Sequence, residues 1–272
     1  MARLDTLREA IGRFITARLG QPLRDDTPCI PSDPNSLRNV LQPCDVVLVE
    51  GNQRVSTAIK YLTQSTWSHA AIYIGDALGP GCDRVLVEAD LSDGVVAVPL
   101  AKYASFNTRI CRPVGLTASD KHAVVAFAVA RIGNSYDLRN IVDLARYLLP
   151  TPPVPVRWRR RMLSLGSGEP TRVICSTLIA QAFQSIRYPI LPRVECMSRP
   201  DQDGETNEIL HIRHHSLFVP RDFDLSPYFQ VIKPTIEAGF DYRRLTWASA
   251  RQGIPYGDAS TGPKSAEVAS PV

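Results

Sequence analysis

Between residues 45 and 113 the chain is divided into short apolar runs by glycine, proline and aspartate, and after residue 117 its apolar residues switch to helical spacing. That change of period limits the fold to an α+β class, strands first and packed helices after. The runs DVVLVEG, HAAIYIG, RVLVEAD, GVVAVPL and NTRICRP have strand length and are rich in β-branched residues. Only RVSTAIKYLTQ, near the start, reads as a short amphipathic helix. Short strands in such close succession predict a small antiparallel barrel or curled sheet. Beyond it, TASDKHAVVAFAVARIG opens on Thr117 and Ser119 as cap candidates and ends near Gly133. YDLRNIVDLARYLL reads as a second helix, stopped by Pro150, and TRVICSTLIAQAFQSI as a third, with Cys175 at its first turn.

The flanks and the centre differ from this body. Residues 2–19 carry Leu4, Leu7, Ile11, Phe14, Ile15 and Leu19 on one helical stripe, followed by a polar, proline-containing linker to residue 40. That stripe suits docking onto the domain or lying in a membrane interface. Residues 150–170 are proline-rich, then basic, then Gly/Ser-rich, which reads as a long loop over the domain. The expected organisation is a helical extension over 1–40, a catalytic domain over 41–235 with its insert at 150–170, and a C-terminal extension and tail over 236–272. HHSLFVPRDFDLSPYFQVIK is expected to add one or two extended segments to the domain.

A net charge of +4 on 272 residues is too small to argue for nucleic-acid binding. No apolar run is long enough to cross a bilayer, and Asp5, Arg8, Glu9 and Arg13 break any signal-like core, so a cytoplasmic location, with peripheral membrane contact allowed, is the expectation. The six cysteines, at 29, 44, 82, 111, 175 and 196, have no CxxC spacing and read as free thiols.

One of those thiols is placed for chemistry. A cysteine attacks as thiolate, and a helix N-terminus or a neighbouring imidazolium lowers its pKa. Cys175 begins a helix whose apolar stripe, Leu178, Ile179, Ala182 and Phe183, would bury the helix and leave its first turn at a site. His69 opens an apolar strand after the polar run TQSTWS, where a side chain can reach a cleft. If HAAIYIG and RVLVEAD form a hairpin, residue 71 pairs near 88 and 69 near 90, so Glu88 and Asp90 share a face with His69. Either carboxylate would orient the imidazole as triad logic requires, with Glu88 preferred and Asp90 the alternative. Glu88 lies inside an apolar run, so its charge requires a partner.

STWSHAAIYIG, VLVEAD, IGNSYDLRN and VICSTLIAQAF together resemble the permuted branch of the NlpC-type papain-like superfamily. That branch includes the YiiX/YebB-like hydrolases and, more distantly, the lecithin:retinol acyltransferase-like enzymes. The similarity covers roughly residues 41–233, and PRDFDLSPYF adds to it. It implies a circularly permuted papain-like fold, a small β-barrel packed on the helix that carries the nucleophile. It further implies Cys175 as nucleophile, His69 as base, Glu88 as the orienting group and Tyr136 as a tyrosine lining the site. Trp67 and Ser68, next to His69, are candidates for substrate contact, and the Cys175 N–H for the oxyanion. The aromatic and double-glycine stretch that follows that tyrosine in unpermuted relatives is replaced here by Asp137 to Asn140.

The implied activity is hydrolysis of an amide or ester through an acyl-enzyme, without a cofactor. The substrate is a peptide or small amide, or a lipid acyl group for a hydrolase or acyltransferase at a membrane. A catalytically silent binding module on the same fold is the rival reading. Arg157, Arg159, Arg160 and Arg161 around Trp158 suit an anionic membrane surface if they are more than a solvated patch. His211, His214 and His215 near Glu208 are not expected to hold a metal, and His122 is expected to face solvent.

Overall fold

A computed structural model describes residues 34–90, 93–134, 174–198 and 206–244. Residues 34–238 of these lie in one unit, and 239–244 begin a second, whose described part is a 3₁₀ turn at Tyr242–Arg244. The expected N-terminal helix, Tyr136, the second helix and the basic insert fall outside the described residues.

The first unit is built on an antiparallel sheet of six strands: β1 (Val46–Val49), β2 (His69–Tyr73), β3 (Leu86–Asp90), β4 (Gly94–Val98), β5 (Thr108–Pro113) and β8 (Phe229–Ile232). Their order is β4-β3-β2-β1-β5-β8, so the described ladder has β4 and β8 as its edges. β1 sits centrally between β2 and β5, and all four of its residues are buried. A strand covered on both faces cannot alternate apolar with polar residues, and VVLV does not.

Strand parity divides the core into two layers. Val46, Leu48, Ala70, Ile72, Val87 and Ala89 face the main layer with helices α3 (Ala118–Val129) and α4 (Ile174–Ser185). Val47, Val49, Ala71, Leu86 and Ile110 face a smaller layer closed by Leu37 and Leu41, at and just beyond α1 (Pro34–Val40), and by the 3₁₀ turn Leu100–Tyr103. The helix that reads as RVSTAIKYLTQ is α2 (Arg54–Thr63).

α3 starts where the sequence places its cap. The Thr117 hydroxyl accepts from Asp120 N–H at 3.2 Å while the Asp120 carboxylate accepts from Thr117 N–H at 3.0 Å. This reciprocal pair satisfies donors that a helix end leaves open. α4 packs across β2 and β3 and against α3. Its Phe183 is fully buried among Tyr188 and Phe229, and Phe229 in turn meets Phe223 edge-on. Burying one such ring contributes about 1.5–3 kcal/mol, and edge-on geometry adds to it, so the position of α4 is strongly fixed.

In HHSLFVPRDFDLSPYFQVIK, FQVI supplies one extended segment, β8, and PRDFDL forms a short helix, α5 (Pro220–Leu225). Pro220 supplies a preset φ in its first turn and the Asp222 carboxylate accepts from Val219 N–H at 3.1 Å. A separate hairpin, β6 (Arg193–Ser198) with β7 (Thr206–His211), was not anticipated from the sequence. The chain continues from β8 into α6 (Pro234–Glu237).

Candidate active site

Ala71 pairs directly with Glu88, the register expected from the hairpin reading. His69 and Glu88 therefore lie on the same sheet face, and His69 is the first residue of β2. From a strand end, a side chain can also meet a helix end packed on the other face. The N-terminus of α4 is there: His69 hydrogen-bonds Cys175 on one side and Glu88 on the other. Its Nε2 lies 3.2 Å from Glu88 Oε2. The structure thus brings Cys175, His69 and Glu88 together from three elements that are far apart in sequence.

The two residues before His69 fix the start of β2. Trp67 is buried and donates its indole N–H to Asp224 Oδ2 at 3.1 Å. The same carboxylate accepts from Arg109 at 2.7 and 2.9 Å, and the Arg109 guanidinium lies over the Trp67 ring at 4.9 Å. Ser68 is also buried, and its hydroxyl accepts from Gly51 N–H at 2.9 Å. A Cβ on Gly51 would collide with the Ser56 hydroxyl and come within 2.9 Å of Ser68 Oγ, so glycine is required for this close approach. Trp67 and Ser68 were expected to contact substrate; their surface is instead spent on these internal contacts, and they anchor the start of β2.

Glu88 has no exposed side-chain surface, and three donors converge on it. His69 Nε2 and the Tyr103 hydroxyl reach Oε2, and the Lys102 ammonium reaches Oε1. Asp90, the alternative acid, stands at the end of β3 with its Oδ1 toward Asp93 N–H at 3.4 Å. Lys102 and Tyr103 were not singled out from sequence. The signal available was indirect: a carboxylate buried in an apolar strand requires donors, but nothing in LAKYASF marks them as those donors.

The charges form a coupled set. Burial alone would raise the Glu88 pKa, but the hydrogen bond and charge of His69, then those of Lys102, outweigh it and lower the value to about 2. Burial would depress His69, yet Cys175 and Glu88 together lift it to about 10. Burial likewise opposes ionisation of Cys175, and the His69 charge and hydrogen bond, with donation from Ala70 N–H, bring its pKa below the ordinary thiol value. Both shifts run in the direction that favours a thiolate beside an imidazolium. Cys44 shows the contrast: burial dominates there and pushes its thiol up to about 12. Cys111 is shifted in the same direction by burial. These two are packing thiols.

The remaining histidines pair elsewhere. His211 meets Glu195 at 2.8 Å, His214 meets Ser216 at 2.7 Å, and His215 lies 3.4 Å from Gln181. Among the described residues no three potential metal ligands converge. His122 is exposed. No described helix is long and apolar enough to cross a membrane.

Residues 40–147 match a family described as permuted papain-like amidase enzyme, YaeF/YiiX, C92 family. The matched segment carries His69 and Glu88 and ends before Cys175. The chain is also similar to the crystal structure of the metalloprotein yiiX from Escherichia coli O157:H7, at 14% identity and a TM-score of 0.42, over 71% of this chain and 96% of that one. No curated protein matches the chain at a significant level. The fold is α+β with an antiparallel sheet, and the strands that carry His69 and Glu88 precede the helix that carries Cys175.

Proposed function

We propose that the protein is a cysteine-dependent amidase in which Cys175 is the nucleophile, His69 the proton donor and acceptor, and Glu88 the group that orients the imidazole. The observation that carries this reading is the placement of His69 between Cys175, at the first turn of a buried helix, and a carboxylate with no exposed surface. The first-turn N–H groups of α4 are not consumed within the helix and favour negative charge at the sulfur.

In the first half-reaction the thiolate attacks an acyl carbon, a C–S bond forms, and the carbonyl electron pair moves onto oxygen. In this reading the Cys175 N–H stabilises that oxyanion. Collapse expels the amine, which takes a proton from the imidazolium as the C–N bond breaks. His69, now neutral, removes a proton from water. The oxygen attacks the thioester, the C–S bond breaks, and the thiolate–imidazolium pair is restored.

An imidazolium beside the sulfur supplies the proton that a departing amine requires, which supports an amide substrate. The family similarity to permuted papain-like amidases agrees with this choice. A panel of acyl amides and matched esters tests it. Wild-type protein should cleave amides, Cys175→Ala and Cys175→Ser should not, and rapid quenching should show an acyl mass on the Cys175 peptide. A thiol that forms no adduct with any panel member and no turnover of any amide would contradict the reading.

A further inference from the structure

The buried cluster carries an excess of negative charge. The Cys175 thiolate and the Glu88 carboxylate stand against a single imidazolium, that of His69. Enclosed net charge is costly, and the cheapest relief is a proton on the sulfur, which would remove the nucleophile. The balancing cation is Lys102, whose ammonium hydrogen-bonds Glu88 Oε1 from a side chain that is otherwise partly exposed. The other carboxylate oxygen is shared: Oε2 receives both the His69 ring N–H and the Tyr103 hydroxyl. Tyr103 is buried, with its ring 6.1 Å from His69 and edge-on to Phe106 at 5.9 Å. Both residues belong to the 3₁₀ turn directly after β4, so one turn grips both oxygens of the acid.

We propose that Lys102 and Tyr103 are positioning residues for the reaction: Lys102 neutralises the Cys175–His69–Glu88 cluster and Tyr103 fixes the carboxylate oxygen that holds the imidazole. This rests on the thiolate–imidazolium reading of the site. The titratable groups facing the cluster among the described residues are His69 on β2, Glu88 and Asp90 on β3, Lys102 and Tyr103 after β4, and Cys175 on α4. Asp90 acts on Tyr103 and adds to the negative side, which increases the need for Lys102.

The test requires no substrate. Alkylation of Cys175 by iodoacetamide, a neutral reagent, is followed against pH by peptide mass spectrometry, which separates it from the other cysteines. Melting curves verify that each full-length variant is folded. Lys102→Met should move the acid limb of the Cys175 profile upward by roughly one unit, a roughly tenfold slower alkylation on that limb. Lys102→Arg, which keeps the charge, should return it toward the wild-type profile. Tyr103→Phe keeps the ring and its packing but removes the hydroxyl. It should shift the downfield proton signal of the His69 ring N–H held on Glu88, because the shared oxygen then has one donor fewer. A Lys102→Met profile that overlays wild type, or an arginine variant that behaves like the methionine one, would overturn the role of Lys102. An unchanged His69 signal in Tyr103→Phe would overturn the role of Tyr103. If wild-type Cys175 alkylates with the profile of an ordinary thiol, the reading of the site itself fails and carries this inference with it.

Discussion

Replacing Glu88 by glutamine tests how much the buried acid contributes. The Glu88 carboxylate is surrounded by donors only, from His69, Lys102 and Tyr103. A glutamine amide must turn its own NH₂ toward one of them, so the substitution is not a gentle one despite its shape. The wild-type carboxyl is held near a pKa of about 2 against an ordinary value of 4.5. A gap of that size corresponds to about 3 kcal/mol of stability at neutral pH, undiminished by solvent because the side chain is fully enclosed. The folded-state value is depressed. The contribution is therefore fully present above about pH 4.5 and is lost as pH falls through about 2. Urea unfolding of wild type and Glu88→Gln should differ by about 3 kcal/mol at neutral pH, and by under half of that near about pH 3. A difference that is negligible at neutral pH, or that does not shrink on acidification, would refute the assignment of Glu88 as an ionised, donor-saturated carboxylate.

Other outcomes follow from single contacts. His69→Ala should lower amide turnover by roughly 10²–10⁴-fold with little loss of fold, read from initial rates and melting curves. Gly51→Ala should destabilise the protein and lower activity together, because the added methyl displaces the Ser56 and Ser68 hydroxyls just before His69; thermal melting and turnover of the same sample verify the pairing. Thr117→Ala removes the α3 cap and should cost about 1 kcal/mol in urea unfolding while leaving the pH dependence of activity unchanged.

Much of the scaffold was legible from period and punctuation. The Ala71–Glu88 register followed from side-chain alternation across one hairpin, since a slip by one residue would have buried the wrong set. The Thr117 cap followed from an Asp three residues on. Cys175, His69 and Glu88 could be named because each stands at an element boundary or breaks an apolar pattern. Lys102 and Tyr103 could not, since they sit in a four-residue 3₁₀ turn without periodicity and meet Glu88 only through tertiary packing. Trp67 was misread for a related reason. Adjacency to His69 suggested the site, but its partners, Arg109 and Asp224, are remote in sequence and draw the indole into the core. The β6–β7 hairpin was missed because the two strands are separated by a polar stretch that reads as loop, and the α5 helix because six residues are too few to show a helical period.

The central claim is that Cys175 rests as a thiolate paired with His69. The ultraviolet absorbance of thiolate, titrated with pH in wild type and in Cys175→Ser, isolates that one sulfur by difference. The account predicts a difference signal whose midpoint lies below the ordinary thiol value of about 8.5, and a return toward that value in His69→Ala. A Cys175 midpoint at or above the ordinary value in the wild-type protein, unmoved by loss of His69, would contradict it.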